Sequence, residues 1–468
     1  MSLTRDFAHL LAGLAGAAHD APPQAAATRL LLDGIAVAAL GATQRGPRIL
    51  ANLAEEQGGH PVATLIGHRQ RVPASEAARV NGAAMHVLDY EPMWNPANHA
   101  LSTTLPAVLA MAEMLGRKAP AHKVDGSTLL AALVLGVEAQ ERLRLASGQL
   151  EPGGLLFHPP GAVGAFGSAM ACGFLLGLDG PHLTHALGIA ASRAAGVQGN
   201  IGSMTKALHC GQAAMAGLES ALQASRGFTA DGDAIGGPRG YGKAFYGAGF
   251  ARDLLLAPHP LFIVDPGPAF KFYPSQYGTH FVITAALAAR RQLWQGTLDA
   301  AGAAAIEAVT ITVPPMPYVD RPLPASGLDG KFSFQYVSAL ALLDDRIDVA
   351  SFSDARCNAA DMRALLPRIR IVADPAREGR FDRMVADVAV QLADGRSVQA
   401  SCDGPPGIWG KPADPALLFG KAIDCLSGVF TRAHAEEVAK CATGFGTLDG
   451  NGVLDFLEQL GPGAHYAA

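Results

Sequence analysis

Apolar residues recur at three- and four-residue spacing through 27–40, 76–89, 105–115, 128–146, 161–176 and 206–225, which predicts a succession of helices. The period changes after about Pro266. Residues 305–313 alternate like a half-buried strand, and 369–373 form a short β-branched run. Two further strands, 385–392 and 396–401, flank Asp394-Gly395, a strong hairpin signal. Helix-like stretches at 332–343 and 358–365 lie among these strands, and helix returns from Pro415 to Leu460. The pattern predicts a mostly α protein in three segments: a helical part at 1–265, a smaller α+β part at 266–414, and a second helical part at 415–468. If the two helical parts pack into one domain, the α+β part is an insertion that closes over it as a lid. A cleft between such modules is a favoured place for a small molecule.

One stretch interrupts the helical pattern. Residues 81–110, NGAAMHVLDYEPMWNPANHALSTTLPAVLA, bring two histidines, Asp89 and Glu91 between alanine-rich helices. Pro92 and Pro96 each remove a backbone donor and restrict the residue before them, so an irregular crossing is expected there. Ser102, Thr103 and Thr104 are expected to cap the next helix, with Pro106 in its first turn.

Composition sharpens this contrast. Charged residues make up 16% of the 468, so a polar cluster between apolar helices stands out. The net charge of −5, without a run of like charge, gives no basic face for nucleic acid. The longest apolar stretches, 129–137 and 30–40, fall short of a membrane span. Asp6 and His9 interrupt the place where a secretion signal needs an apolar core, so a cytoplasmic location is expected. Six cysteines without CxxC spacing are expected to be reduced, packed thiols, which leaves no metal site of that kind. Gly237 to Lys243 fits G-x-x-x-x-G-K, but Ala244 replaces the Ser/Thr of a phosphate loop and a helix precedes it; it reads as a loop.

Four other places carry candidate chemistry. His158 precedes a glycine-rich helix, where the dipole favours a neutral, base-competent imidazole. Lys206 and His209 are three apart and share a helix face. A lysine in a first helical turn opposes the macrodipole, and a bound anion would compensate. Lys271 lies among aromatics and prolines in KFYPSQYGTH, and Tyr318 follows the first expected strand. Taken singly, each has a bland reading as a packed or exposed side chain. Together, without a nucleotide motif, they suggest proton chemistry on a small di- or tricarboxylate, lysines holding carboxylates while histidine or aspartate moves a proton.

The blocks NGAAMHVLDYE (81–91), NPANHALSTTLPAVLAMAE (95–113), FHPPGAVGAFGSA (157–169), MTKALHCGQAA (204–214), KFYPSQYGTH (271–280) and FSFQYVSALALL (332–343) occur in an order that resembles the MmgE/PrpD superfamily. That superfamily includes 2-methylcitrate dehydratase, cis-aconitate decarboxylase and iminodisuccinate epimerase. The resemblance implies a helical domain from both chain ends, an inserted lid, a homodimer, and catalysis without a metal or organic cofactor. It also implies an active-site aspartate at Asp89, histidines at His99 and His158, anion-holding lysines at Lys206 and Lys271, and a lid tyrosine at Tyr318. Gln276 stands where some members carry histidine, and His209 is a further candidate for substrate binding. Many members read Asp-Phe-Asp-Asp-Thr where this chain reads Asp89-Tyr-Glu91-Pro92-Met93, so Met93 replaces a hydroxyl in the expected pocket. The expectation is therefore a dehydratase-type lyase in which Asp89 orients a histidine. An epimerase or decarboxylase on a related acid is the alternative, and a non-catalytic helical scaffold is the rival of another class.

Overall fold

The computed structural model describes residues 2–119, 123–151, 155–294, 303–344, 346–411 and 413–467. The protein is mostly α, about 58% helix and 8% strand. Its longer helices are α1 (Leu3–Gly13), α2 (Ala21–Ala42), α3 (Arg45–Gln57), α4 (Ala74–Val87), α5 (Ala100–Lys118), α6 (Gly126–Ala146), α7 (Pro159–Leu175), α8 (Gly180–Ala191) and α9 (Thr205–Ala224). After these come α10 (Tyr277–Leu293) and α11 (Phe334–Leu343), then α12 (Pro415–Ser427), α13 (Arg432–Thr443) and α14 (Gly450–Gln459).

The large core takes side chains from both chain ends: Phe7, Leu30, Leu105, Leu133 and Phe166 join Leu418, Leu426, Phe445 and Phe456. Helix α2 begins well before the apolar run at 30–40, because Ala21, Pro22 and Pro23 supply a first turn that needs no backbone donors. At that length it is apolar enough to cross a membrane, yet 78% of its apolar window is buried inside the protein. All six cysteines are free, five of them buried.

A second core is built around the sheet. Strands β1 (Ile306–Val313), β2 (Ile369–Ala373), β3 (Ala386–Leu392) and β4 (Ser397–Cys402) are ordered β2-β1-β3-β4. β1 and β2 run parallel, and the connection between them contains α11, as a parallel pair requires. β1–β3 and β3–β4 are antiparallel, the latter closed by Asp394-Gly395. Burial alternates along β1 as the sequence pattern predicts, with Val309, Ile311 and Val313 in the core beside Phe281 and Ile283 of α10.

The start of α5 differs from expectation. The helix begins at Ala100, capped at His99 without a side-chain bond, and Pro106 lies inside it. Ser102 and Thr103 turn their hydroxyls back to the His99 and Ala100 carbonyls at 3.3 and 3.0 Å. These residues are buried against neighbouring helices, so local back-bonding replaces capping.

α4 and α9 carry the two main site segments and cross closely where Gly82 meets Gly211. A Cβ at Gly211 would collide with the Arg79 carbonyl oxygen, which is backbone and cannot rotate away. Gly211→Ala should therefore lower stability by about 2–3 kcal/mol, the usual scale of overpacking. Urea melts would show it as a lower midpoint at unchanged slope; an unchanged midpoint would mean the two helices separate without cost.

Candidate active site

Helix α4 stops at Val87, and Asp89 then takes a left-handed backbone (φ 52°), unique among the described non-glycine residues. Such a conformation costs about 1 kcal/mol for an L-residue. The turn aims the Asp89 carboxylate at two lysines. Lys206 Nζ lies 2.6 Å from Oδ2, and Lys271 Nζ contacts Oδ1 while also donating to the Asp89 carbonyl at 3.1 Å. Asp89, Lys206 and Lys271 are all buried. Burial pushes the Asp89 carboxyl up, but Lys206 and Lys271 outweigh it and hold the group well below the usual carboxylate range. The anion that Lys206 needs at its helix start is thus the carboxylate of Asp89.

Two other buried lysines hold the backbone around this pair. Lys331, just before α11, donates to the carbonyls of Leu88 (2.8 Å) and Pro274 (2.7 Å), the residue before Asp89 and one near Lys271. Burial lowers its ammonium to about 7, Lys206 and Lys271 pushing the same way against Asp89. Lys421 of α12 donates to the carbonyls of Tyr90 and Lys271, both at 2.8 Å, and pairs with Asp33 at 2.7 Å. Met93 and Ala269 complete the brace with paired backbone bonds of 3.0 and 2.7 Å. Lys331→Met would free the Leu88 and Pro274 carbonyls and loosen the Asp89 turn. A misplaced catalytic group costs about a hundredfold, so kcat/KM should fall by about ten- to a hundredfold. Steady-state assays would read this; retention of full activity would show that the turn holds without the clamp.

The histidines gather on the other side of Asp89. His86 Nδ1 hydrogen-bonds Glu91 Oε1, and His99 Nδ1 lies 3.1 Å from the same oxygen. His99 Nε2 is 3.8 Å from Asp89 Oδ1. Glu91 is therefore the carboxylate nearer to His99, while Asp89 is engaged by the lysines. The His158 ring centroid sits 5.3 Å from that of His86 and 6.4 Å from that of His99. Burial lowers all three imidazoles. His86 falls to about 4, and His158 falls well below its ordinary range, with His86, Lys206 and His99 adding to the effect. The lowered values favour the neutral form of each ring at pH 7.

A cleft of about 550 Å³, including its open mouth, is lined by Asp89, Met93, His99, His158, Lys206, Lys271, Gln276 and Tyr318. Ile201, Phe332 and Phe381 add apolar wall, and Tyr277 and Gln198 line it as further polar residues. Eight of the nine residues singled out from sequence thus converge here. The ninth, His209, does not line the cleft; it stands behind His158, their Nδ1 atoms 3.3 Å apart. Tyr318 accepts a hydrogen bond from Gln276 Nε2 at 3.0 Å, while Gln276 Oε1 caps α10 by accepting from Thr279 N. Burial, and the charge of Asp89 after it, raise the Tyr318 phenol, which keeps its proton as a donor. Met93 packs into the sheet-side core, and its carbonyl accepts from Trp409 Nε1 at 3.2 Å.

Sequence reasoning missed the parts played by Glu91, His86, Lys331 and Lys421. Glu91 was visible as a departure from the common pattern, and His86 and Lys331 stand inside or beside the recognisable blocks. Lys421 had no signal beyond a lysine on a helix. Among the described residues, His86, Glu91 and His99 could also present three ligand atoms to one metal ion, as could His86, His158 and Cys210. In the first set the Glu91 oxygen is already hydrogen-bonded by His86, and burial raises the Cys210 thiol, which disfavours the thiolate a metal needs.

Comparison with known proteins identifies this architecture. Residues 5–252 match the MmgE/PrpD N-terminal domain, and residues 273–443 match the MmgE/PrpD C-terminal domain. The chain is 32% identical to cis-aconitate decarboxylase of Homo sapiens over 460 residues, covering 97% of this chain and 94% of that one. It is 32% identical to the Mus musculus cis-aconitate decarboxylase over 412 residues, covering 88% and 84%. Cis-aconitate decarboxylase of Aspergillus terreus is 26% identical over 436 residues, covering 87% and 86%. With both domains matched in order and relatives aligned over nearly the whole length, the chain belongs to the MmgE/PrpD family.

Proposed function

We propose that this protein is a lyase acting on a small tricarboxylate, and that within this class it is a decarboxylase of cis-aconitate or a close analogue. The observation that carries the reading is the Asp89–Lys206–Lys271 cluster beside two neutral histidines in one cleft. Asp89 neutralises one of the two ammonium charges, and the remaining charge attracts carboxylates that the substrate retains. Ile201, Phe332 and Phe381 give their part of the wall little to offer a carboxylate. A carboxylate held there is poorly solvated, whereas neutral carbon dioxide is not, which favours cleavage of the carbon–carboxylate bond. The electron pair left on carbon then takes a proton from His158 or His99, and Tyr318 donates a hydrogen bond to a substrate oxygen.

The relatives named as cis-aconitate decarboxylases move the choice from the dehydration favoured by sequence towards decarboxylation. Met93 supports the same direction, since it places a thioether where a hydroxyl would bind a substrate hydroxyl. We place the α+β segment as a lid over the helical part, with the protein acting as a cytoplasmic homodimer without a metal or organic cofactor. The deciding experiment incubates the protein with cis-aconitate, citrate, 2-methylcitrate and iminodisuccinate in deuterated buffer. Release of carbon dioxide from cis-aconitate supports the proposal. Alkene formed from 2-methylcitrate without carbon dioxide would replace it with dehydration, and deuterium exchange without net change would replace it with epimerisation. No reaction with any acid would favour the scaffold.

A further inference from the structure

His209 is left without a place by the cleft. Its ring approaches His158 Nδ1 to Nδ1 at 3.3 Å, with centroids 5.4 Å apart. Two imidazole nitrogens at that distance attract only when one carries a proton and the other a lone pair. The contact therefore contains one shared proton. It is also built: the His209 ring lies against Gly196, whose backbone is left-handed (φ 99°) and where a Cβ would sit 3.2–3.3 Å from the ring. The Gly196 carbonyl in turn accepts the His158 backbone N–H at 2.7 Å. His158 is 4% exposed and lines the cleft, whereas His209 is partly exposed and does not. One of the pair faces the cleft, and the other is partly exposed on the far side.

The chemistry gives this contact a task. Loss of carbon dioxide from a carboxylate leaves its electron pair on carbon, and that carbon takes up one proton. Each turnover consumes one proton, which solvent must replace. Dehydration and epimerisation make no such demand: the proton taken from carbon leaves in water with the hydroxyl, or returns to carbon. The groups facing His158 are His86 from α4, His99 at the start of α5, and Lys206 and His209 from α9; Lys206 also faces His209. Lysine beside a buried ring opposes its protonation, so His158 does not store a proton between turnovers.

We propose that His209 is a proton relay: it takes a proton from solvent and passes it through the shared Nδ1 contact to His158, as His158 gives a proton from its other nitrogen to the substrate carbanion. One N–H bond breaks and one forms at each ring, and the net change is one solvent proton moved to carbon. His209 acts through His158 and is a positioning and relay residue. The proposal rests on the decarboxylase reading, so its test has an arm that needs no substrate.

In a dilute buffer of poorly penetrating ions, His209→Ala should lower kcat by about tenfold or more while KM stays within about threefold, general acid–base steps being worth at least that. Added imidazole should restore kcat saturably, by occupying the vacated space. In the substrate-free arm, 15N-edited NMR follows exchange of the His158 ring N–H with solvent; it should slow by about tenfold in H209A and again be restored by imidazole. His209→Gln, which fills the space without titrating, should be slow in both arms and insensitive to imidazole. Unchanged His158 exchange in H209A and H209Q would overturn the relay, whatever the activity. A kcat loss that imidazole does not relieve would assign His209 a structural role and overturn it also. A protein that releases carbon dioxide from no acid, yet loses His158 exchange in H209A, would contradict the decarboxylase and leave the relay standing.

Discussion

Asp89→Asn is expected to be the most damaging single change in the protein. The side chain holds one lysine on each oxygen, Lys206 at 2.6 Å and Lys271 in closer contact. An amide keeps one acceptor and turns the other position into a donor aimed at an ammonium. Removing one partner of a buried ion pair costs about 3–5 kcal/mol, because the other charge is left uncompensated. Urea melts at pH 7 should show a loss of that size. Activity should fall by about a hundredfold or more, since both lysines lose their fixed positions. The double variant D89N/K271M should be more stable than D89N alone, because it removes an ammonium that the single variant strands. If D89N melts like the wild type, the lysines are paired elsewhere and the proposed electrostatics of the cleft are wrong.

Acid should unfold the protein from a comparatively high pH. Burial pulls His86, His99, His158 and His280 below the ordinary imidazole value, to about 4 for His86 and about 3 for His280. Each folded pKa lies below the unfolded value of about 6.5, so the unfolded chain binds more protons in the window between them. The stability conferred by keeping these rings neutral is complete above about pH 6.5 and is lost as pH falls through the window. For His86, a drop from 6.5 to about 4 corresponds to about 3 kcal/mol by the time pH 4 is reached. Asp89 and Glu91, whose folded values are depressed, keep their contribution throughout this range and lose it only below about pH 4. Denaturant titrations from about pH 7.5 to about pH 4.5 should therefore show stability falling with net proton uptake on unfolding, offset in part by Glu141, whose buried carboxyl is raised to about 8 and releases a proton when it unfolds. A flat profile would mean that the histidines are not buried neutral in solution.

Both effects come from burying titratable groups in a chain with few charges, and the sequence displayed part of that. Asp89, His99, His158, Lys206 and Lys271 were visible as polar residues in otherwise apolar surroundings, and their family blocks gave their order. Glu91 was visible only as a departure, since its contact with His86 and His99 depends on how the 89–93 turn runs. Lys331 and Lys421 were illegible for a stronger reason. Each binds backbone carbonyls of segments far away in sequence, and a carbonyl has no residue identity to read.

Many of the helices, the four strands of the larger sheet and the family could be read from the amino-acid chain without its coordinates, whereas α1, α3, α8 and α10 gave no separate signal. The legible features follow from periodicity, turn residues and local motifs, which act over a few residues. Three assignments needed the packed molecule: Asp89 serves the lysines while Glu91 serves the histidines, Pro106 lies inside its helix, and His209 stands behind His158 instead of in the cleft. The distinction is one of range. Hydrophobic patterning fixes which face of an element is buried, but a hydrogen-bond partner is chosen within about 3 Å, after packing has set the helices against each other.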